Sequence, residues 1–69
     1  MITAFVLIRP RGNRVQALGE AIAELPQVAE VYSVTGPYDL VALVRLKDVE
    51  ELDDVVTQGI LSLEGVERT

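Results

Sequence analysis

The chain has 69 residues, 49% of them hydrophobic, and six basic against eleven acidic residues give it a net charge of −5. A domain this short buries only about 60% of the surface that its unfolded chain exposes, so its core needs further support. The absence of Cys and His excludes disulfides and the commonest metal ligands as that support and favours self-association. The acidic balance disfavours nucleic-acid binding by this chain itself, because duplex binding depends on clustered Lys and Arg.

The first apolar run, Ile2 to Ile8, is much shorter than the roughly 20 residues of a membrane span, and no basic segment precedes it. We therefore expect a cytoplasmic protein with neither a signal peptide nor a membrane partner. Catalysis at neutral pH usually draws on His, Cys, a perturbed Lys or paired carboxylates. Most of these are missing, so we expect no enzyme and no catalytic residues.

The first half of the chain is predicted to form a strand, a helix and a second strand. Residues Ile2 to Arg9 are apolar in both alternating sets, which is typical of a strand covered on both faces. Asn13 is expected to cap a helix that Pro26 ends. Residues Val28 to Thr35 then form a strand whose polar content favours a sheet edge. The helix carries an apolar stripe of Val15, Leu18, Ile22 and Leu25.

The second half repeats this order after a short hairpin connection at Gly36-Pro37-Tyr38. Residues Asp39 to Leu46 form another strand that is apolar on both faces. Asp48 is expected to cap a second helix, which Gly65 ends before a last strand begins at Val66. The apolar stripe of this helix consists of Leu52, Val55, Val56, Gly59, Ile60 and Leu63.

An internal repeat relates the two halves. A shift of 38 residues aligns, without a gap, Ile2 with Leu40, Val6 with Val44 and Ile22 with Ile60. Two strand-helix-strand units predict an α+β ferredoxin-like split βαβ fold (βαββαβ), in which a four-stranded antiparallel sheet has both helices on one face. Its first and third strands should be central. The repeat also extends the last strand to about residue 73, so we expect one domain over residues 1–69 with a truncated final strand.

The sheet face away from the helices is expected to carry an apolar patch of Phe5, Leu7, Val41 and Leu43, or of their alternates. Soluble monomers rarely leave such a patch exposed. We therefore expect a second subunit to cover it, which gives a dimeric α/β sandwich.

Two groups of charged residues have an ordinary explanation beside a functional one. Arg9, Arg11 and Arg14 surround a turn at a helix start that could hold an anion, but a solvated or intersubunit salt-bridging loop is favoured. The acidic residues between 48 and 54 could suggest a divalent cation. Acidic side chains in a first helical turn interact favourably with the helix dipole, so we expect no metal site.

The segment Thr35-Gly36-Pro37-Tyr38-Asp39 combines a flexible Gly, a rigid Pro, an aromatic ring and a carboxylate at a hairpin tip. It has two interpretations. As turn chemistry, Gly supplies an unusual backbone angle and Asp accepts a local hydrogen bond. As a ligand site, backbone N–H groups bind a carboxylate, Asp39 binds an ammonium group and Tyr38 forms a wall. Local sequence alone favours the turn.

Four segments of the chain form a combined pattern: the first strand, the end of the first helix, a Gly-x-x-Asp-Leu element and a Gly-Val-x-x-Thr ending. These segments are Ala4-Phe5-Val6-Leu7-Ile8, Leu25-Pro26-Gln27-Val28, Val34-Thr35-Gly36-Pro37-Tyr38-Asp39-Leu40 and Leu63-Glu64-Gly65-Val66-Glu67-Arg68-Thr69. In these segments the whole chain resembles the ligand-sensing domain of the Lrp/AsnC transcription regulators, the RAM domain.

The resemblance implies dimers joined through their sheets, higher rings such as octamers, and amino-acid effectors bound between dimers without any cofactor. Gly36 and Asp39 occupy the motif positions, Thr35, Pro37 and Tyr38 line them, and Thr69 matches the start of the family's final threonine-bearing strand. One departure is that Met1 leads directly into the first strand, where the regulators carry a helix-turn-helix. We therefore expect a stand-alone sensor, acting alone or by assembly with a full-length Lrp/AsnC regulator. The competing hypotheses are a purely structural oligomerisation domain and, less favoured, a small dimeric α+β barrel enzyme.

Overall fold

The computed structural model describes all of residues 1–69. The strands are β1 (Ile2–Pro10), β2 (Val28–Ser33), β3 (Leu40–Leu46) and β4 (Val66–Arg68), and the helices are α1 (Val15–Ala23) and α2 (Val49–Asp54), the latter continued by a π-helical segment (Val55–Ile60). The sheet order is β2-β3-β1-β4 with antiparallel neighbours throughout. This is the predicted ferredoxin-like α+β fold.

The two strands that are apolar on both faces lie at the centre of the sheet, as predicted. β1 and β3 pair from Ile2 opposite Leu46 to Ile8 opposite Leu40. β2, the polar strand, lies at the edge beyond β3. Aliphatic and β-branched residues predominate in β1 and β3 because one alternating set packs under the helices, whereas the other set forms an apolar patch on the opposite face.

Both helices pack on the same face of the sheet. The even-numbered side chains of β1 and β3 point to that face, and those of Val6, Ile8, Leu40, Ala42, Val44 and Leu46 are buried. Ile22 of α1 and Ile60 of the π-helical segment are fully buried against them. The core consists of Val6, Ile8, Leu18, Ile22, Leu40, Ala42, Val44, Leu46, Val55 and Ile60.

Of the two predicted helix caps, one is confirmed and one is wrong. The Asp48 side chain accepts a hydrogen bond of 3.0 Å from the Glu51 amide. At the start of α1, the N-cap position belongs to Arg14, which makes no side-chain cap, and not to Asn13. The first bond of the helix runs from the Leu18 amide to the Arg14 carbonyl at 2.9 Å, which places Asn13 outside the turn that it was expected to cap.

The second helix changes its hydrogen-bonding register halfway along. From Val55 to Ile60 it is a π-helix, with the Leu61 amide bonding the Val56 carbonyl at 2.8 Å. The wider π turn brings residues five apart close to the same face, and Val55 and Ile60 are both buried. The helix is shorter than predicted, because it ends at Ile60 and not near Gly65. The apolar members of the predicted stripe nevertheless lie in the core or pack against it, including Leu63.

β4 covers only one end of β1. Val28 lies opposite Val44, so the repeat would place Val66 opposite Val6, but Val66 lies opposite Pro10. β4 thus pairs with β1 only at Arg9 and Pro10, and residues 2–7 of β1 have no neighbouring strand on that side.

The connection between β2 and β3 is longer than predicted. β2 ends at Ser33 and β3 begins at Leu40, so each strand is shorter than its sequence pattern suggests. The Val34 amide donates to the Asp39 carbonyl at 2.9 Å and closes the loop at its base. The Asp39 amide donates across to the Ile8 carbonyl at 3.2 Å, which fixes the loop to β1.

Candidate ligand-binding loop

The loop of residues Thr35 to Asp39 presents backbone donors at its tip. Val34 and Asp39 donate their amides within the chain, whereas the amides of Thr35, Gly36 and Tyr38 have no acceptor there. Gly36 has φ = +117°, a conformation that side-chain-bearing residues rarely adopt. The backbone path of the loop therefore favours glycine at position 36.

Asp39 supplies a negative charge at the end of the same loop. Its side chain is half-buried, and its carboxylate makes no hydrogen bond or ion pair within the chain. Three free N–H donors and a free carboxylate thus lie within five consecutive residues. Such a pair of groups can bind a carboxylate and an ammonium group of one small molecule.

Two of the predicted site residues, Tyr38 and Thr69, are brought together by the fold although 31 positions separate them in the sequence. Both line an open cleft of about 300 Å³ along the unpaired side of β1. The cleft is otherwise apolar, with Leu52 and Val56 of the second helix forming its opposite wall. Its remaining lining residues are Ala4, Phe5, Val6 and Leu7.

The loop is also attached to β4 by charged side chains. Arg9 donates a hydrogen bond of 2.7 Å from Nη1 to the Pro37 carbonyl, and its Nε lies 3.1 Å from Oε2 of Glu67. The Arg68 guanidinium lies over the Tyr38 ring, 5.5 Å from the ring centroid. Sequence reasoning grouped Arg9 with Arg11 and Arg14 and missed these contacts, because the sequence does not show which residues of the last strand lie beside Arg9.

The other charged groups of the sequence do not form a site. Arg11 and Arg14 are exposed and make no ion pair. Asp48 caps α2, and Asp53 accepts a hydrogen bond of 3.4 Å from the Thr57 hydroxyl. No group of three or more acidic side chains is arranged to hold a metal ion.

The sheet face opposite the helices carries an exposed apolar patch, which we call the open face (Phe5, Leu7, Tyr32, Val41 and Leu43). Phe5 is 71% and Leu7 45% exposed, and Val41 and Leu43 are half-buried. The open face is therefore formed by the odd-numbered side chains of β1 and β3, one of the two alternating sets that the sequence allowed.

At the edge of this face, hydrogen bonding to the Glu30 carboxylate raises the pKa of the Tyr32 phenol above its ordinary value, and desolvation and the Glu30 charge contribute less. Neither helix has the length and apolar character needed to cross a bilayer.

Together, the elements and their order define a small α+β module of the ferredoxin-like type. The chain belongs to the Lrp/AsnC family: residues 3–69 match the model of the Lrp/AsnC ligand binding domain. Members of this family form oligomers.

Among its relatives, the HTH-type transcriptional regulator FL11 of Pyrococcus furiosus is 37% identical over 68 residues, which cover 99% of this chain and 44% of the relative. An uncharacterized HTH-type transcriptional regulator of Pyrococcus abyssi is 35% identical over 68 residues, 99% of this chain and 46% of the relative. The chain thus spans less than half the length of these relatives. The relatives are transcription regulators and not enzymes.

Solved structures agree with this assignment. The crystal structure of FFRP-DM1 superposes with a TM-score of 0.90 at 29% identity and covers 99% of this chain and 91% of its own. A hypothetical protein of Pyrococcus horikoshii, PHS023, gives a TM-score of 0.88 at 29% identity, with coverage of 99% and 82%.

Proposed function

We propose that this chain is an effector-binding and oligomerisation module that recognises a free amino acid at the loop of residues Thr35 to Asp39. The observation that carries the proposal is the presence of free amides at Thr35, Gly36 and Tyr38 beside the free carboxylate of Asp39. An amino acid carries both an α-carboxylate and an α-ammonium group, which are the complements of these two features. Charge-assisted hydrogen bonds of this kind are about twice as strong as neutral ones.

The cleft beside the loop supports the same proposal. Its volume of about 300 Å³ is at the lower end of the range for small-molecule sites, and most of its lining is apolar. Tyr38 and Thr69 provide polar groups at its rim. An amino acid held by the loop therefore places its side chain towards the cleft, with Pro37 limiting the freedom of the loop.

The module acts in the cytoplasm as a homodimer that assembles further into rings such as octamers. It does not bind nucleic acid directly, because its net charge is −5 and its two helices both pack on the sheet. Assembly with a full-length Lrp/AsnC regulator then links effector binding to transcription. The binding loop lies beyond the ends of β2 and β3, outside the open face, whereas the cleft beside the loop shares Phe5 and Leu7 with that face.

The test is a thermal-shift screen of the purified protein against the twenty common amino acids, with light scattering of every sample that responds. A ligand at about 100 times its Kd stabilises the folded state by about 2.7 kcal/mol, which gives a measurable rise in Tm. Asp39→Ala should remove the rise and leave the molar mass unchanged. Asp54→Ala removes an exposed carboxylate from α2 and should keep the full response. If Asp39→Ala responds like the wild type, the proposed site is wrong.

A second candidate function is that of a purely structural oligomerisation domain. The observation that favours it is the open face, where Phe5 is 71% exposed. Such a face requires a protein partner and no small ligand. The absence of any response in the screen, combined with a stable oligomer by light scattering, would favour this function over effector binding.

A further inference from the structure

We propose that Arg9 is a positioning residue that couples the ligand-binding loop to β4, so that ordering of either element favours ordering of the other. Arg9 itself touches no ligand in this proposal. It holds the loop and the last strand in a fixed relation through one side chain. The ligand-dependent part of the inference rests on the proposed function, whereas the coupling between loop and strand does not.

Arg9 makes its two contacts in different directions. Its Nη1 donates to the Pro37 carbonyl at the tip of the loop, at 2.7 Å. Its Nε faces the Glu67 carboxylate on β4, at 3.1 Å. The planar guanidinium has several donors in a fixed arrangement, so the position of one partner restricts the position of the other. A lysine at this place has a single ammonium group on a flexible stem and does not reproduce that restriction.

A second contact links the same two elements, and here the arginine lies on β4 and its partner lies in the loop. Arg68, the neighbour of Glu67 on β4, stacks on the ring of Tyr38 in the loop, 5.5 Å from its centroid. The loop therefore contacts β4 through both the Pro37 carbonyl and the Tyr38 ring. Cation–π contacts at exposed sites are weak individually, but here the stack reinforces a hydrogen bond and an ion pair between the same elements.

The attachment of β4 makes this coupling effective. β4 has three residues and pairs with β1 at only two positions, Arg9 and Pro10. The Arg11 amide adds one hydrogen bond to the Gly65 carbonyl. With so few backbone bonds, the side-chain contacts to the loop are a large part of what holds the strand. Coupling free energies are reciprocal, so whatever orders the loop also orders β4.

Amide hydrogen exchange tests the coupling without any ligand. The Val34 amide closes the base of the loop, and the Arg11 amide bonds the residue before β4, so each reports the opening of its own element. Glu67→Gln removes a charge on β4 that does not touch the loop. It should speed exchange of the Val34 amide by about two- to fivefold, the effect of losing one exposed ion pair. Tyr38→Leu should speed exchange of the Arg11 amide to a similar extent.

Two variants serve as controls. Glu64→Gln removes an exposed carboxylate three residues from Glu67 that makes no ion pair, and it should leave the Val34 amide unchanged. Arg9→Lys keeps the positive charge and should resemble Glu67→Gln, because the two directed contacts are lost. If Glu67→Gln and Glu64→Gln give the same Val34 exchange rate, or if Arg9→Lys behaves like the wild type, the inference is overturned.

The ligand-dependent part is measured by calorimetry with the amino acid that gives the largest response in the screen. Arg9→Ala should weaken its affinity by about two- to fivefold, while Arg11→Ala, which removes a neighbouring arginine without an ion pair, should not. Equal affinities in the two variants contradict the positioning role. If no amino acid binds the wild type, the proposed function fails, and the exchange rates alone still decide whether the loop and β4 are coupled.

Discussion

Phe5 lies directly opposite Leu43 across the β1–β3 ladder, on the open face of the sheet. The sequence allowed either alternating set of β1 to face the helices, and the burial of Val6 and Ile8 shows which set does. Phe5 is consequently 71% exposed although it lies on a central strand, whereas its partner Leu43 is half-buried. An exposed phenylalanine in the middle of a sheet is the feature on which the predicted dimer depends.

The first prediction is that Phe5→Glu prevents dimer formation. A carboxylate at the centre of an apolar interface loses its hydration without gaining a partner, so the free energy of association becomes unfavourable. Light scattering should give a wild-type mass of at least a dimer and a mass near 7.5 kDa for the variant. Val49→Glu is the matched control: Val49 is 69% exposed but lies at the start of α2, away from the open face. A dimeric Phe5→Glu protein would mean that the open face is not the interface.

The second prediction compares the two helix starts. Asp48→Ala should lower the free energy of unfolding by about 1 kcal/mol, because the Glu51 amide loses its side-chain acceptor. Asn13→Ala should have an effect within about 0.5 kcal/mol, because Asn13 makes no cap. Urea unfolding of the three proteins, with equal slopes, measures both changes. A larger loss for Asn13→Ala than for Asp48→Ala would contradict the assigned caps.

The features that could be predicted from the sequence are mainly those that follow from the spacing of apolar and polar side chains along the chain. Two-sided apolar strands identified β1 and β3 as central, and polar Glu30 and Ser33 identified β2 as an edge strand. Asp48 was identifiable because a cap needs only one acidic side chain three residues before a free amide. The loop residues from Thr35 to Asp39 were found from their composition, and their place between β2 and β3 agrees with it.

The features that were missed depend on contacts between distant segments. The π-helical segment from Val55 to Ile60 was missed, because a 3.6-residue pattern does not reveal where the hydrogen-bonding register of a helix changes. The register of β4 on β1 differs from that of β2 on β3, so the internal repeat does not determine which residues lie opposite β4. That register places Glu67 beside Arg9 and Arg68 over Tyr38. These charged contacts could therefore not be predicted without the register in which β4 pairs with β1.

The third prediction concerns the backbone of the loop. Gly36 and Gly12 both have positive φ, +117° and +63°, and a Cβ at either position meets no atom within 4 Å. Asn tolerates the left-handed helical region near +60° but not the conformation of Gly36. Gly36→Asn should therefore cost about 1–3 kcal/mol of unfolding free energy or change the loop, whereas Gly12→Asn should be close to neutral.

Urea unfolding measures this difference, and the thermal-shift response to amino acids shows its effect on the loop. Gly36→Asn should reduce that response even where the protein remains folded, because the amide groups at the tip are displaced. Equal stability and equal response of the two variants would show that the loop does not depend on the unusual angle at Gly36.

The last prediction is the titration of Tyr32 at the edge of the open face. Hydrogen bonding to Glu30, then desolvation and the Glu30 charge, stabilise the neutral phenol and raise its pKa above the ordinary value of 10.0. Because the folded-state pKa is the higher one, this contribution to stability is fully present below the ordinary pKa and is lost as the pH rises through the folded-state value.

Glu30→Gln removes the carboxylate and should lower the pKa of Tyr32. Phenolate absorbance in a Tyr38→Phe background, where Tyr32 is the only tyrosine, measures the change directly. Ala29→Gln changes the neighbouring exposed residue and keeps Glu30, so it should leave the pKa of Tyr32 unchanged. An unchanged midpoint in Glu30→Gln would mean that the carboxylate does not interact with the phenol.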